Sequence, residues 1–138
     1  MSHPDGLPDL FLDRSMGRKK VPELLRAEGL RLITLAEHYG VPHDETIEDT
    51  AWLQLCGERN WLAIMKDDRI RYVNAQRHAL IRNGVRAAVI TNANLSAIDM
   101  VERLIRAIPD LVEVCSERRG PCLFALHQNR IEEIALDS

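Results

Sequence analysis

Short apolar runs alternate along the chain with longer segments in which apolar residues recur at helical spacing. The runs are nearly continuous, as in strands that are covered on both faces of a parallel sheet. They predict strands over residues 10–12, 30–35, 61–65, 85–91 and 122–126. Helices are predicted between them, over residues 21–29, from 46–49 to about 60, and over 68–83 and 96–108. Strands that alternate with crossover helices indicate a three-layer α/β/α sandwich around a central parallel sheet.

The remaining segments are predicted to lack regular structure. Residues 1–9 are rich in Pro, Gly and Asp and predict a flexible tail, so that one domain would span residues 10–138. Gly40 and Pro42 favour a loop over residues 36–45. Thr46 and Asp49 have the spacing of a capping box that would open the next helix. Beyond Leu126 the chain is polar and is predicted to be a tail.

Composition narrows the class of protein. The chain has 138 residues, of which 46% are apolar and 28% charged, as expected of one globular domain rather than a disordered segment. Its net charge of -3 excludes a protein-wide positive field, so any contact with nucleic acid needs a local basic patch. Asp5 and Asp9 stand where a signal peptide would be basic, and no apolar stretch is long enough to span a bilayer. We expect no membrane association.

The cysteines indicate a reducing compartment. Cys56, Cys115 and Cys122 are odd in number, far apart and form no CxxC pair, so a disulfide framework is not expected. His38 and His43 have the spacing of half a zinc site, but no cysteine pair supplies the other half. We therefore expect a cytoplasmic protein without structural zinc.

Several carboxylates follow the predicted strands. Asp13 ends the first strand and Asp67 and Asp68 follow the third, while Glu48 and Asp49 precede a helix. Because parallel strands deliver their carboxyl ends to one edge of a sheet, we expect these acids to converge there. Crowded carboxylates repel unless cations neutralise them, and Mg²⁺ prefers such oxygen ligands together with phosphate. The pattern favours phosphoryl chemistry.

Each acid also has an ordinary structural interpretation. Asp49 could serve only the capping box, Asp68 could cap the following helix, and Glu48 suits the first turn of any helix. Asp13 and Asp67 fit a functional role better, because both end apolar strands on the same edge.

Three short motifs resemble the PIN-like domains of VapC-type toxins. They are FLDR at residues 11–14, ED at residues 48–49 and WLAIMKDDRIR at residues 61–71. The resemblance extends from residue 10 to about residue 126. It implies a ribonuclease that uses Mg²⁺ or Mn²⁺ to hydrolyse RNA, a cognate antitoxin protein that blocks the cleft, and pairing into a homodimer.

The resemblance also implies roles for the acids. Asp13, Asp49 and Asp67 would bind the metal, and Asp68 would complete the catalytic set. An additional acid would be Glu48 or Glu37, between which spacing does not choose. The family commonly has Ser or Thr two residues before the aspartate that ends the strand, whereas this chain has Met65. We therefore expect that hydroxyl contribution to be missing, which keeps open a catalytically inactive domain that only binds RNA or a partner.

A locally basic stretch surrounds the third strand end. Lys66, Arg69 and Arg71 lie close enough to the predicted cleft to hold RNA phosphates, although arginines on a helix face are often only solvated surface. Trp52 and Trp61 lie within apolar patterns and are predicted to pack in the core rather than to stack on bases.

A receiver-like phosphoacceptor domain is the alternative from another class. It would use Asp13, Asp67 and Thr91 after the first, third and fourth strands. Against it, the first strand delivers one acid rather than two, and the last strand supplies no lysine.

Overall fold

The computed structural model describes residues 2–66, 68–91 and 94–136, with Asp68 described by its backbone alone. The strands are β1 (Leu10–Leu12), β2 (Leu32–Thr34), β3 (Leu62–Met65), β4 (Arg86–Ile90), β5 (Cys122–Leu126) and β6 (Ile131–Ile134). The α-helices are α1 (Lys20–Ala27), α2 (Leu35–Tyr39), α3 (Asp49–Arg59), α4 (Asn74–Arg82) and α5 (Ala97–Glu117). Short 3₁₀ turns span Arg14–Met16, His43–Thr46 and Asp68–Arg71.

Within the described ranges the strands form one sheet in the order β2-β1-β3-β4-β5-β6. The first five strands pair in parallel and β6 pairs antiparallel with β5. The predicted α/β architecture with a central, mostly parallel sheet is therefore confirmed. The expected polar tail is wrong over β6, because an exposed edge strand carries charged side chains and lacks the apolar run that marks a buried strand.

The core has two halves, one on each face of the sheet. Leu10, Leu12 and Ile64 face the layer formed by α1 and α5. Phe11 and Met65 face the layer formed by α3 and α4. This division follows from the alternation of side chains along a strand, and it produces the three predicted layers.

The segment before β1 packs against its neighbours. Buried His3 accepts a hydrogen bond at Nδ1 from the backbone N–H of Arg31 (2.9 Å), and its Nε2 lies 2.8 Å from the carbonyl oxygen of Leu7. Leu7 itself belongs to the core beneath α5. The sequence predicts a flexible tail here, whereas the structure places these residues in contact with β2 and the core, since one histidine supplies partners for otherwise unpaired backbone groups.

The predicted loop over residues 36–45 contains regular structure. Thr34 caps α2 by accepting a hydrogen bond from the backbone N–H of Glu37 (3.0 Å), and the Glu37 carboxylate accepts one from the backbone N–H of Thr34 (2.9 Å). This is the capping box of the chain. The one predicted at Thr46 is wrong, because the Thr46 hydroxyl donates to the carbonyl of His43 in a 3₁₀ turn instead.

Two helices differ in length from their predictions. The helix predicted over residues 68–83 is a 3₁₀ turn followed by α4, separated at Tyr72 and Val73. The helix predicted to end at residue 108 continues past Pro109 to Glu117. Beyond the proline, Leu111 and Cys115 keep the helical spacing that buries one face of α5. That burial offsets the hydrogen bond that proline removes.

None of the helices within the described residues is both long enough and apolar enough to cross a membrane.

Candidate functional site

Asp13 immediately follows β1 at the carboxyl edge of the sheet. It is 7% exposed and caps the 3₁₀ turn Arg14–Met16. Its Oδ1 accepts hydrogen bonds from the backbone N–H of Ser15 (3.1 Å) and from the Ser15 hydroxyl. The backbone N–H of Asp13 donates to the carbonyl of Ile64 (3.3 Å), which fixes the residue beside β3. The carboxylate is thus held in place by its own turn.

Ser15 connects Asp13 with the end of β3. Its hydroxyl accepts a hydrogen bond from the backbone N–H of Lys66 (2.9 Å) while donating to Asp13. Met65 faces the core and is 2% exposed. The sequence predicts that a hydroxyl is missing from the β3 side of the site, yet the structure supplies one from the β1 side. The signal that could have identified it is the Asp-x-Ser spacing, which is typical of a local side chain to backbone turn.

Asp49 is the first residue of α3 and is held by two neutral donors. Trp52 Nε1 donates to Oδ1 (2.9 Å) and Gln76 Nε2 donates to Oδ2 (2.7 Å). Trp52 is buried and stacks on Phe11 of β1, with ring centroids 5.6 Å apart. The core position predicted for Trp52 is confirmed. Because Phe11 precedes Asp13 by two residues, this stacking places the start of α3 over the end of β1.

Arg14 lies between the two acids. Its Nη2 donates to the carbonyl oxygens of Asp44 (2.8 Å) and Ile47 (2.7 Å), which precede α3. Its Nη1 lies 4.0 Å from Oδ1 of Asp49. The arginine therefore joins the turn that carries Asp13 to the segment that presents Asp49, and it adds positive charge at this edge.

A second arginine stabilises the same segment. Arg18 forms a bidentate pair with buried Asp44, in which Nε donates to Oδ2 (3.1 Å) and Nη2 to Oδ1 (3.0 Å), and Nη2 also reaches Glu45 at 3.2 Å. Planar pairing of this kind fixes both partners in orientation as well as in charge. Sequence patterns did not single out Asp44, since a buried aspartate in a short 3₁₀ turn has no spacing signature.

An open cleft of about 420 Å³ lies between the start of α3 and the start of α4. Its lining includes Arg14, Glu48, Asp49, Arg69, Val73 and Gln76. Of the predicted site residues, the structure therefore brings Glu48, Asp49 and Arg69 together around one space. Glu48 is exposed at the N-cap position of α3 and caps nothing with its side chain.

The other candidates lie at different places. Asp67 lies outside the described residues, and the same holds for the side chain of Asp68. Glu37 pairs with Arg26 (2.7 Å) in addition to its role in the α2 capping box. The Arg26 guanidinium holds the pKa of Glu37 below its usual value, with smaller help from the backbone of Thr34.

A divalent metal ion needs several oxygen ligands in one place. Among the residues that the structure describes, no three His, Cys, Asp or Glu side chains are grouped so that they could hold a metal ion. Asp13 accepts hydrogen bonds from Ser15, and Asp49 accepts them from Trp52 and Gln76 and has Arg14 Nη1 at 4.0 Å. Both acids offer carboxylate oxygens at this edge. Such hard anionic oxygens fit Mg²⁺ or Mn²⁺ and not a softer metal.

All three cysteines are free and buried, as the absence of a disulfide pattern predicts. Burial raises the pKa of the Cys56 thiol, and the negative charge of Asp13 raises it further. Burial raises the pKa of Cys122 to about 11. These thiols stay protonated at neutral pH and are poor nucleophiles.

Thr91 is held in a way that does not suit a receiver domain. Its hydroxyl donates to the carbonyl of Leu126 (3.2 Å) and accepts from Arg103 Nη1 (3.0 Å). The same Arg103 atom donates to the carbonyl of Thr91 (2.7 Å). The hydroxyl is thus committed to joining β4, β5 and α5.

Two comparisons with known proteins identify the family of this chain. The family model described as "PIN like domain" matches residues 8–92, which include both Asp13 and Asp49. The chain is 30% identical over 128 residues to "Putative ribonuclease VapC45" of Mycobacterium tuberculosis (strain ATCC 25618 / H37Rv), covering 93% of this chain and 92% of that protein. No solved structure matches the chain. The resemblance seen in the three short motifs is therefore confirmed, and the chain belongs to the PIN-like domain family.

Proposed function

We propose that the protein is a metal-dependent endoribonuclease that hydrolyses RNA phosphodiester bonds in the cytoplasm. The observation that supports the proposal is the contact of Arg14, which follows Asp13 in the chain, with Asp49 and with the segment before α3. The family and the ribonuclease name of the relative support it.

Asp13, Asp49 and Asp67 would hold Mg²⁺ or Mn²⁺. A divalent ion supplies a water of lowered pKa and stabilises charge that develops on the phosphate. The protein's own part is to orient the carboxylates. Ser15 does this for Asp13, while Trp52 and Gln76 do it for Asp49.

Glu48 and Asp68 are the candidates for an additional acid in this site. Glu48 lines the cleft beside Asp49 and is exposed to an incoming substrate. Glu37 is the weaker candidate because its carboxylate already pairs with Arg26 and caps α2. If Glu37 turned towards the site instead, the fold would lose the hydrogen bonds that its carboxylate makes in these contacts.

Positive side chains would bind the RNA backbone next to the acids. Arg69 lines the cleft, and Lys66 and Arg71 flank it along the chain. These three are proposed to contact the scissile phosphate and its neighbours. Because the whole protein has a net charge of -3, RNA would bind at this local basic patch rather than at the protein surface in general.

The protein would act as the toxin of a toxin-antitoxin pair. An antitoxin protein that covers the cleft would block access to Asp49 and Arg69 together. Two copies of the protein would pair into a homodimer.

The test is cleavage of labelled RNA by wild type, Asp49→Asn and Asp67→Asn with Mg²⁺, with Mn²⁺ and with a chelator. Asp110→Asn is the matched control, since Asp110 is exposed on α5. We expect cleavage by wild type and the control only with metal, and a loss on the order of 100-fold in the other two variants. Thermal melts should show stabilisation by Mn²⁺ that both site variants lose in large part.

Wild type that binds RNA without cutting it under any metal would instead support the inactive binding domain. Cleavage that survives chelation and both substitutions would refute the metal site.

A further inference from the structure

Tyr72 is an exposed aromatic residue on the connection between the 3₁₀ turn Asp68–Arg71 and α4. It is 68% exposed, whereas the aromatic core residues Phe11 and Trp52 are buried. Its backbone N–H donates to the carbonyl of Arg69 (2.9 Å), which fixes the turn. Burial in the core therefore does not explain an aromatic side chain at this position.

One arginine lies against the ring, and a second arginine contacts the backbone of the first. The Arg71 guanidinium carbon lies 5.6 Å from the centroid of Tyr72, at cation–π distance. Arg77 Nη1 donates to the carbonyl of Arg71 (2.9 Å), and Nη2 lies 3.4 Å from Oδ1 of Asn74. We call Arg71, Tyr72 and Arg77 the arginine-tyrosine cluster.

The cluster carries positive charge, and Glu132 is a carboxylate that this charge reaches: the hydrogen bond to His127 lowers the pKa of Glu132 most, and the charge of Arg71 adds to the effect. Among the carboxylates that the structure describes, none lies within ion-pair distance of Arg71 or Arg77, whereas Arg18, Arg26 and Arg118 each pair with one. Arg77 Nε is in addition a buried N–H with no hydrogen-bond partner in the described structure. Buried donors of this kind are rare in folded proteins and call for a ligand or another partner.

The cluster borders the cleft. Arg69 and Val73, which flank Arg71 and Tyr72 in the chain, both line the cleft together with Asp49. Tyr72 is the chain neighbour of Val73, so an RNA strand that leaves the cleft on this side would pass the exposed tyrosine ring.

We propose that the arginine-tyrosine cluster binds an unpaired RNA nucleotide next to the cut, with its base stacked on Tyr72 and its phosphates held by Arg71 and Arg77. The proposal rests on the ribonuclease function proposed above and adds to it a stacking site for one base. An exposed aromatic face beside a guanidinium group is a combination by which proteins bind single strands. In a duplex the base faces are covered by neighbouring bases, so an exposed ring gains nothing from it.

The experiment measures binding without cleavage. Fluorescent single-stranded RNA and a hairpin of equal charge, whose two paired strands are joined by a linker without bases, are titrated with the full chain in a chelator. Tyr72→Ala is compared with Tyr72→Phe and with Ile98→Ala, in which another apolar side chain, 55% exposed, is truncated. Tyr72→Ala is expected to weaken single-strand binding by about tenfold, while Tyr72→Phe and Ile98→Ala bind like wild type. Hairpin binding should be the same in all four proteins.

Two further readouts separate stacking from charge. A 2-aminopurine base in the single strand should lose fluorescence on binding wild type or Tyr72→Phe and keep it with Tyr72→Ala. The slope of log affinity against log salt should fall by about 0.7 in Arg71→Gln or Arg77→Gln and stay unchanged in Tyr72→Ala. Using both arginine variants guards against misfolding of either one, which thermal melts would reveal.

The stacking proposal is overturned if Tyr72→Ala binds the single strand as tightly as Ile98→Ala does, or if it loses hairpin and single-strand binding equally. If that happens while wild type still cuts RNA with metal, the ribonuclease proposal stands and only the cluster's role fails. Both the ribonuclease proposal and the stacking proposal are refuted if the wild-type protein neither binds nor cuts RNA.

Discussion

Removing the Ser15 hydroxyl is the most direct way to test how the site is held. Ser15→Ala deletes both the donor to Asp13 Oδ1 and the acceptor for the backbone N–H of Lys66. The Asp13 carboxylate keeps the backbone N–H of Ser15, at 3.1 Å. The backbone N–H of Lys66 loses the hydrogen-bond partner described above, and an unsatisfied donor costs about 1–3 kcal/mol when it is buried.

Both groups are only part-buried, so water recovers some of this loss. The expected destabilisation is about 2 kcal/mol, or a melting temperature lowered by roughly 5–10 °C for a domain of this size. Because Asp13 also gains freedom, the Mn²⁺ concentration that gives half-maximal cleavage should rise by about tenfold. Thermal melts and metal titrations of RNA cleavage measure the two effects separately.

Two variants serve as controls. Ser15→Thr keeps a hydroxyl and should recover most of both losses. Ser116→Ala removes an exposed hydroxyl that only bonds the carbonyl of Glu113 (2.9 Å), and it should change stability by less than about 0.5 kcal/mol. If Ser15→Ala melts like Ser116→Ala and keeps the wild-type metal dependence, the hydroxyl does not hold Asp13, and the argument from its two hydrogen bonds fails.

Two further outcomes are expected. In Gly120→Ala the new Cβ would lie 2.0 Å from the carbonyl oxygen of Gly84, a backbone contact that cannot yield, so urea unfolding should show a loss above about 2 kcal/mol. A wild-type urea midpoint would contradict this. Arg26 lowers the pKa of Glu37, so the ionised pair stabilises the fold above the ordinary glutamate pKa and loses this effect as pH falls through the lowered value. In Glu37→Gln, the melting temperature should therefore change less between roughly pH 3 and 5 than it does in the wild type. The stability lost at higher pH should be less than about 1 kcal/mol, because both side chains are 43% exposed. A pH profile identical to that of the wild type would contradict this expectation.

The sequence was sufficient to predict the buried strands, but not the edge strand β6 or the short helix α2. The strands β1, β3, β4 and β5 consist largely of continuous apolar runs, and this pattern predicted them. The strand β6 reads Ile-Glu-Glu-Ile and gains its stability from pairing with β5, a tertiary contact that leaves no local mark. Helix α2 has only five residues beside Gly40 and Pro42, so its turn signals outweigh its helical ones.

The same distinction applies to the candidate site. That strand ends bring acids to one edge follows from parallel topology, and Asp13 was found on that ground. Trp52 lies one turn after Asp49 on α3, so this contact is local, whereas Gln76 lies on α4 and reaches Asp49 only through the packing of the two helices, which the sequence does not show. Tyr72 was overlooked because its neighbours fit a continuous helix, in which an exposed tyrosine has no special meaning.

The strand β6 also determines how the sheet can meet another chain. An unpaired strand edge is a template for strand addition and aggregation unless charge prevents it. Glu132 and Glu133 lie in the middle of β6, paired with His127 and Arg118 on their own chain. Two copies that joined their sheets through β6 would bring these glutamates side by side, where like charges oppose each other. The charges on β6 therefore oppose self-association through this edge of the sheet.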